Sequence, residues 1–421
     1  MASSKDAVIL DVAGHEVRIS SPEKPYFADK GIRKIDVVEY FVAVGEGILF
    51  ALKDRPTTLE RWPGGVFEGA RLSTRMDNTG DAFYQKRVPK NAPEWVPTAH
   101  ITFPSGRTAD EIAPDSVAVV AWCANLGTLT FHPWPVGKAD VESPNQIRID
   151  LDPQPGTDFA DAVWVAPHVR ELLHEYGMEG WPKTSGGRGV HIYVPIQPRW
   201  TFTDVRRAVI AFGRELERRL PDRVTMSWWK EERGEKIFID YNQMARDRTI
   251  ASAYSIRPKP HAPVSAPVDW DELPDVSPFD FDVLTMPARF REVGDKHAGL
   301  ADHAFGIEPL LELAERQAKD DGLGDLPYPP DYPKMPGEPM RVQPSRAKKP
   351  AAATRMWCSG SNHAAKRSVP VSWTRRNRRK ACILWRSRPT ALRISQRRWT
   401  SGSLATSIRP RSPCVSRQIR A

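Results

Sequence analysis

Residues 146–153, Gln146-Ile147-Arg148-Ile149-Asp150-Leu151-Asp152-Pro153, alternate between polar and apolar. Period-two alternation marks a strand with one buried face. Ile147, Ile149 and Leu151 form the face that needs a core, so this strand must lie in a sheet covered on one side. Arg148, Asp150 and Asp152 share the other face. Carboxylates two residues apart on a strand stand about 7 Å apart at Cα and repel unless something positive lies between them. A divalent cation held by oxygen ligands is the usual answer. Pro153 cannot extend a ladder, so the strand ends where the acids are, beside a loop, where functional side chains concentrate. Asp-x-Asp is common, and taken alone it is better read as a solvated strand face. The rest of the chain must separate the two readings.

A second apolar run ends in an acid: Ile237-Phe238-Ile239-Asp240-Tyr241. Between the two strands lies Thr184-Ser185-Gly186-Gly187-Arg188-Gly189-Val190-His191, a glycine-rich turn feeding a strand. Ser185, Gly186 and Gly187 can expose successive backbone N–H groups as an anion nest, and Arg188 adds charge. It is not a P-loop, because no G-x-x-x-x-G-K-[ST] is present and a strand follows. Residues 246–258 add Arg246, Arg248 and Arg257. Acids that hold ions, with N–H groups and arginines that neutralise polyphosphate, suit phosphoryl or nucleotidyl transfer.

Other segments set the frame. Residues 8–18 read as a strand pair around Ala13-Gly14, and residues 157–176 and 203–220 as amphipathic helices. Lys24, Lys30, Arg33 and Lys34 cluster ahead of a helix carrying Val37, Val38, Phe41, Val42, Val44, Ile48 and Leu49, a placement that suits phosphate, although unaided an ordinary solvated basic loop is the better reading. Residues 55–65 read as loop, and residues 258–278 as a proline-rich surface wrap. Phe83-Tyr84-Gln85-Lys86-Arg87 interleaves aromatic and basic groups, which suits stacking on bases; a buried strand pair fits as well. Residues 302–319 read as a further helix. Lys319-Asp320-Asp321-Gly322 matches the K-x-D-G of adenylated ligase lysines, but it ends that helix and only low-complexity sequence follows, so we reject it. No run of 18 apolar residues occurs, and the four cysteines form no C-x-x-C pair, so a reduced, cytosolic protein without a membrane span is expected.

The motifs at Asp150-Leu151-Asp152-Pro153, 184–191 and 237–258 together resemble the polymerase domain of bacterial ligase D, an archaeo-eukaryotic primase-like family that serves non-homologous end joining. The resemblance spans residues 8–340. It implies an α/β primase-polymerase core with an RRM-like palm and mixed sheets. It implies that Asp150, Asp152 and Asp240 hold two divalent ions, Mn2+ or Mg2+, and that His132 lies near the catalytic centre. Ser185, His191 and Arg257 would contact the phosphates or sugar of an incoming NTP or dNTP. Lys24 and Lys34 match a lysine pair that grips a downstream 5′-phosphate on a DNA end or gapped duplex, and Phe83 or Tyr84 the position that stacks on template. Many relatives carry lysine where Arg188 stands, so a point charge has become a planar fork. The usual ligase and phosphoesterase domains are missing, so a stand-alone polymerase is expected, working with Ku and an ATP-dependent DNA ligase in trans. The rival readings are a DNA primase, a catalytically idle end-binding scaffold and a metal phosphoesterase.

We divide the chain into a polymerase domain at 1–298, a helix and proline-rich extension of the same unit at 299–345, and a basic, disordered tail at 346–421. From position 341 on there are 21 of the 61 basic residues and none of the 52 acidic ones, which leaves residues 1–340 with a net charge of −12. A DNA-binding arm is one explanation of the tail. The abrupt change of composition near Lys348 favours the other, an out-of-frame reading of GC-rich DNA.

Overall fold

The computed structural model describes residues 7–74, 77–329 and 332. The basic tail, and with it both explanations of it, lies outside the described residues. So does most of the proline-rich extension.

The chain opens with a hairpin of β1 (Ala7–Val12) and β2 (His15–Ser20), turned at Ala13 and Gly14, both at positive φ. Two short strands follow, β3 (Pro25–Phe27) and β4 (Ile32–Arg33), and they deliver the chain into helix α1 (Lys34–Ala43). The sequence reads as one helix to Leu49, but the structure breaks it at Val44 and restarts it as α2 (Gly45–Leu52). Close packing favours glycine where α2 begins: a Cβ at Gly45 would lie 2.9 Å from Val117 Cγ1, at the start of α3 (Val117–Asn125).

The first sheet contains β5 (Thr57–Arg61), β6 (Phe83–Gln85), β7 (Thr98–Thr102), β8 (Thr108–Ile112) and β9 (Thr128–Pro133), with β5 paired to both β6 and β9. Residues 55–65 are therefore not a loop. Their first half is a central strand, hidden in the sequence by Pro56 on one side and Pro63-Gly64-Gly65 on the other.

The second sheet is organised around β10 (Gln146–Pro153), the alternating strand. Helix α4 (Phe159–Glu175) leads to β11 (Trp181–Thr184) and β12 (Val190–Pro195); α5 (Phe202–Arg219) leads to β13 (Val224–Thr225) and β14 (Ile237–Ile239). The order is β11-β12-β10-β14-β13, with β10 antiparallel to both neighbours. Ile147, Ile149 and Leu151 are buried, and α4 and α5 both pack on β10. Each helix starts on a capping box, Asp158 with Asp161 and Thr201 with Asp204, which satisfies N–H groups the first turn leaves orphaned. That covering turns Arg148, Asp150 and Asp152 to the opposite face.

Residues 262–268 are not a surface wrap: Ala262, Val264, Ser265, Ala266 and Val268 are buried, and Thr184 N–H donates to Ala266 O at 2.9 Å along β11. Helices α6 (Met286–Val293) and α7 (Glu308–Asp320) complete the described chain, α7 against α5. Buried Arg206 on α5 donates to Asn242, Asp325, Leu326 and Pro327 at 2.6–3.0 Å, tying the chain's later segment beneath the turn after Asp240. No helix among the described residues is long and apolar enough to cross a membrane.

Candidate active site

The strand register assembles a row across the second sheet. Lys183 pairs with His191, His191 pairs with Asp150, and Leu151 pairs with Ile239, which sets Asp240 beside Asp150. The Lys183 ammonium donates to His191 Nδ1 at 2.8 Å and also to Ser265 Oγ. His191 Nε2 lies 3.5 Å from Asp150 Oδ1. The Gln243 amide spans the two acids, with Nε2 3.2 Å from Asp240 Oδ2 and 3.5 Å from Asp150 Oδ2. The other Asp240 oxygen accepts from Asn242 N–H at 3.0 Å and caps a short 3₁₀ turn.

This crowding fixes the electrostatics. Burial, then the charges of Asp240 and Asp152, push Asp150 well above the usual carboxylate range. Burial also raises Asp240. Burial, then Arg257, hold Lys183 well below a normal lysine, and burial with Lys183 holds His191 well below a normal histidine. Asp152 is exposed and accepts from Gln154 Nε2 at 3.0 Å. Among the described residues, no three His, Cys, Asp and Glu side chains are gathered closely enough to hold a metal ion together. Asp150 and Asp240 are adjacent, and Asp152 is turned onto Gln154. The donor set still fits a hard divalent cation: it is all carboxylate oxygen, and desolvation raises its two half-buried members, Asp150 and Asp240, an effect that a nearby positive charge opposes.

The glycine turn departs from the expected nest. Ser185 Oγ accepts from Gly187 and Gly189 N–H at 3.1 and 3.0 Å, so those donors are used inside the turn. Arg188 is exposed and donates to Pro153 O at 3.2 Å. Gly186 has φ 65°, and a Cβ there would lie 2.5 Å from Arg257 Cγ, so only glycine lets the arginine pass so close. Lys259 Nζ lies near Gly187. Arg257 Nε is buried without a partner among the described residues, and its charge is felt by Asp150, His191, Lys183 and, on the first sheet, by His132 and Glu60.

His132 stands at the end of β9, buried, 3.1 Å from Glu60 on β5. Tyr84 meets its ring edge-on. Phe83 and Tyr84 are 37% and 48% exposed, which disposes of the buried-pair alternative. Of the four cations ahead of α1, only two converge. Lys24 Nζ donates to Pro63 O, and Lys34 Nζ donates to Ser20 O at 2.7 Å and Ser20 Oγ at 3.1 Å. Lys30 is instead bound to Asp282, and Arg33 to Asp36 and Glu23. Arg61 takes their place: it acts on Lys34 and lies over the Phe83 ring, 5.2 Å from its centroid.

Sequence reasoning missed Arg61, Glu60, Lys183, Gln243 and Lys259. For Lys183 a signal existed: a lysine between Pro182 and Thr184, just ahead of the glycine turn. For Glu60 none did, since its strand was unreadable.

A mixed α/β fold with several sheets, in which two adjacent antiparallel strands of one sheet carry the acids, is the core of a primase-polymerase. The chain belongs to the LigD primase-polymerase domain family, whose model matches residues 33–297. It is 30% identical over 322 residues to a multifunctional non-homologous end joining protein LigD of Mycolicibacterium smegmatis, covering 76% of this chain and 40% of the relative. A LigD of Mycobacterium tuberculosis is 29% identical over 366 residues, 85% of this chain and 45% of the relative. The chain thus spans less than half the length of these relatives. Among solved structures, the polymerase domain of M. tuberculosis ligase D in complex with DNA matches with a TM-score of 0.60 and 28% identity, over 68% of this chain and 98% of that one.

Proposed function

We propose that the protein is a template-directed nucleotidyltransferase that extends a primer at DNA ends or gaps, ribonucleotides preferred, in double-strand break repair by non-homologous end joining. The observation that carries this is the Asp150–Asp240 pair, spanned by the Gln243 amide, with the charge of Arg257 reaching Asp150. The DNA-bound relative supports nucleic acid as the substrate.

Asp150, Asp152 and Asp240 would hold divalent ions, Mn2+ or Mg2+. Such ions lower the pKa of an attacking hydroxyl and neutralise a leaving pyrophosphate. The protein's own groups do the rest. Arg257, Lys259 and Arg188 neutralise the triphosphate around Ser185, Gly186 and Gly187. Lys183 fixes the His191 tautomer, with Nδ1 accepting and Nε2–H turned to Asp150. Phe83 and Tyr84 stack on the template, and Lys24, Lys34 and Arg61 receive a downstream 5′-phosphate. Ku and an ATP-dependent ligase are the partners this reading requires, in the cytoplasm with the nucleoid.

The test is extension of a gapped, 5′-phosphorylated duplex with manganese and each nucleotide in turn. We expect product from the wild type, none from Asp240→Asn, and DNA affinity within about twofold in both. Wild-type rates in Asp240→Asn sink the assignment.

A further inference from the structure

Glu60 carries a role of its own. It is buried on β5, 3% exposed, yet its carboxyl stays below the ordinary range: burial, the largest influence, raises it, but the hydrogen bond and charge of His132, the charge of Arg257 and a hydrogen bond from Trp62 outweigh that. Both its oxygens are used. Oε2 faces His132 Nε2 at 3.1 Å and Oε1 accepts from Trp62 Nε1 at 3.0 Å. Register explains the contact: Thr58 pairs with His132 and Glu60 with Tyr84, so β5 lies between the histidine and the exposed aromatic.

We propose that Glu60 is a positioning residue that locks His132 as a neutral imidazole with Nε2 protonated, leaving Nδ1 as a lone-pair acceptor whose partner in the reaction is a hydroxyl donor and not a phosphate oxygen.

The chemistry follows from the partners. An ionised carboxylate at Nε2 can only accept, so the ring must carry its proton there. Burial disfavours a second proton, and the other charged groups that reach His132 are cations, Arg257 and Lys183; Tyr84 adds an uncharged edge. A neutral ring shows an acceptor at its remaining nitrogen, and an acceptor repels a phosphate oxygen. The hydroxyls available to a nucleotidyltransferase cleft are those of sugars: the 2′-hydroxyl of an incoming ribonucleotide or the 3′-hydroxyl of the primer. This rests on the nucleotidyl-transfer reading, but its first test does not.

Nitrogen-15 NMR of histidine-labelled full-length protein, with the His132 signal assigned by its loss in His132→Gln, reads the tautomer directly. Between pH 6 and 8 the wild type should show a protonated Nε2 and a bare Nδ1. A protonated Nδ1, or a doubly protonated ring at pH 7, overturns the proposal whatever the enzyme does. Glu60→Leu should lose the single tautomer and at least tenfold in turnover, with the nucleotide KM moved less than threefold if the primer hydroxyl is the donor. A loss confined to ribonucleotides, and read mainly in KM, identifies the 2′-hydroxyl instead. Glu60→Gln keeps an acceptor of the same shape and should rescue both tautomer and turnover to within about threefold. Unchanged turnover in a folded Glu60→Leu, or no rescue by Gln, also refutes it. Were the wild type inactive on every substrate, the functional reading would fail while the tautomer result stood.

Discussion

The lysine pocket offers a pH experiment. Lys34 opens α1 with its ammonium on Ser20, and burial, then the charges of Lys24 and Arg61, pull its pKa from 10.5 to about 8. A 5′-phosphate has its second pKa near 6, so above about pH 7 its charge is constant. Over the next two pH units, however, Lys34 falls from roughly 90% to roughly 10% charged. A bound dianion favours the charged lysine, so phosphate binding at pH 9 must first restore a proton. The affinity advantage of a 5′-phosphate over a 5′-hydroxyl should therefore shrink about tenfold between pH 7 and 9, about 1.4 kcal/mol. Fluorescence anisotropy with two gapped duplexes differing only in that phosphate, at fixed ionic strength, measures it. Lys34→Met should lower the advantage at pH 7 and abolish its slope. Lys24→Gln removes a like charge and should move the fall to higher pH. A phosphate advantage that is flat from pH 7 to 9 in the wild type, or equally steep in Lys34→Met, refutes the argument.

Two further tests are independent of that pocket. Glu111 is fully buried, with Thr58 Oγ1 and Trp134 Nε1 on one oxygen, and burial pushes it to about 7. From 4.5 up to that value the unfolded chain has released a proton that the folded chain keeps, so stability falls as pH rises; Glu111→Gln removes the effect. Its stability relative to wild type should improve by about 2.5 kcal/mol between pH 5 and pH 8 in urea unfolding, and an identical difference at both pH values would exclude the shift. Phe83→Ala removes an exposed stacking face backed by the Arg61 guanidinium and should weaken binding to a single-stranded template overhang by about 1–3 kcal/mol, with blunt duplex unaffected; a change below about 0.5 kcal/mol counts against stacking.

What the sequence made legible were features that repeat at the period of a single element. β10 could be read because its alternation is complete over eight residues. α4 and α5 could be placed to within two residues because apolar spacing and polar caps agree. Asp240 could be paired with Asp150 because both end apolar strands. What stayed hidden depends on partners distant in sequence. Lys30 was grouped with Lys34 by proximity, but Asp282, 252 residues on, claims it. Serine and glycine at 185–189 suggested free N–H groups, but Ser185 Oγ satisfies two of them. Prolines at 258–278 suggested exposure throughout, but proline marks only the lack of a donor, and residues 262–268 lie buried beside β11.

Net charge was the least informative feature. Residues 1–340 are net acidic, yet they gather Arg257, Lys259 and Arg188 at one turn and Lys24, Lys34 and Arg61 at another. Buried Arg148 is the most revealing of the cations. It shares the face of Asp150, but its guanidinium is spent on backbone: Nη1 donates to Pro133 O at 2.5 Å and Nη2 to Trp134 O at 3.0 Å. Those carbonyls follow directly on His132. One side chain of the acidic strand thus ties β10 to the end of β9, and so sets how far the acids stand from the histidine. A strand that reads as a candidate ion holder is also a tie between the two sheets.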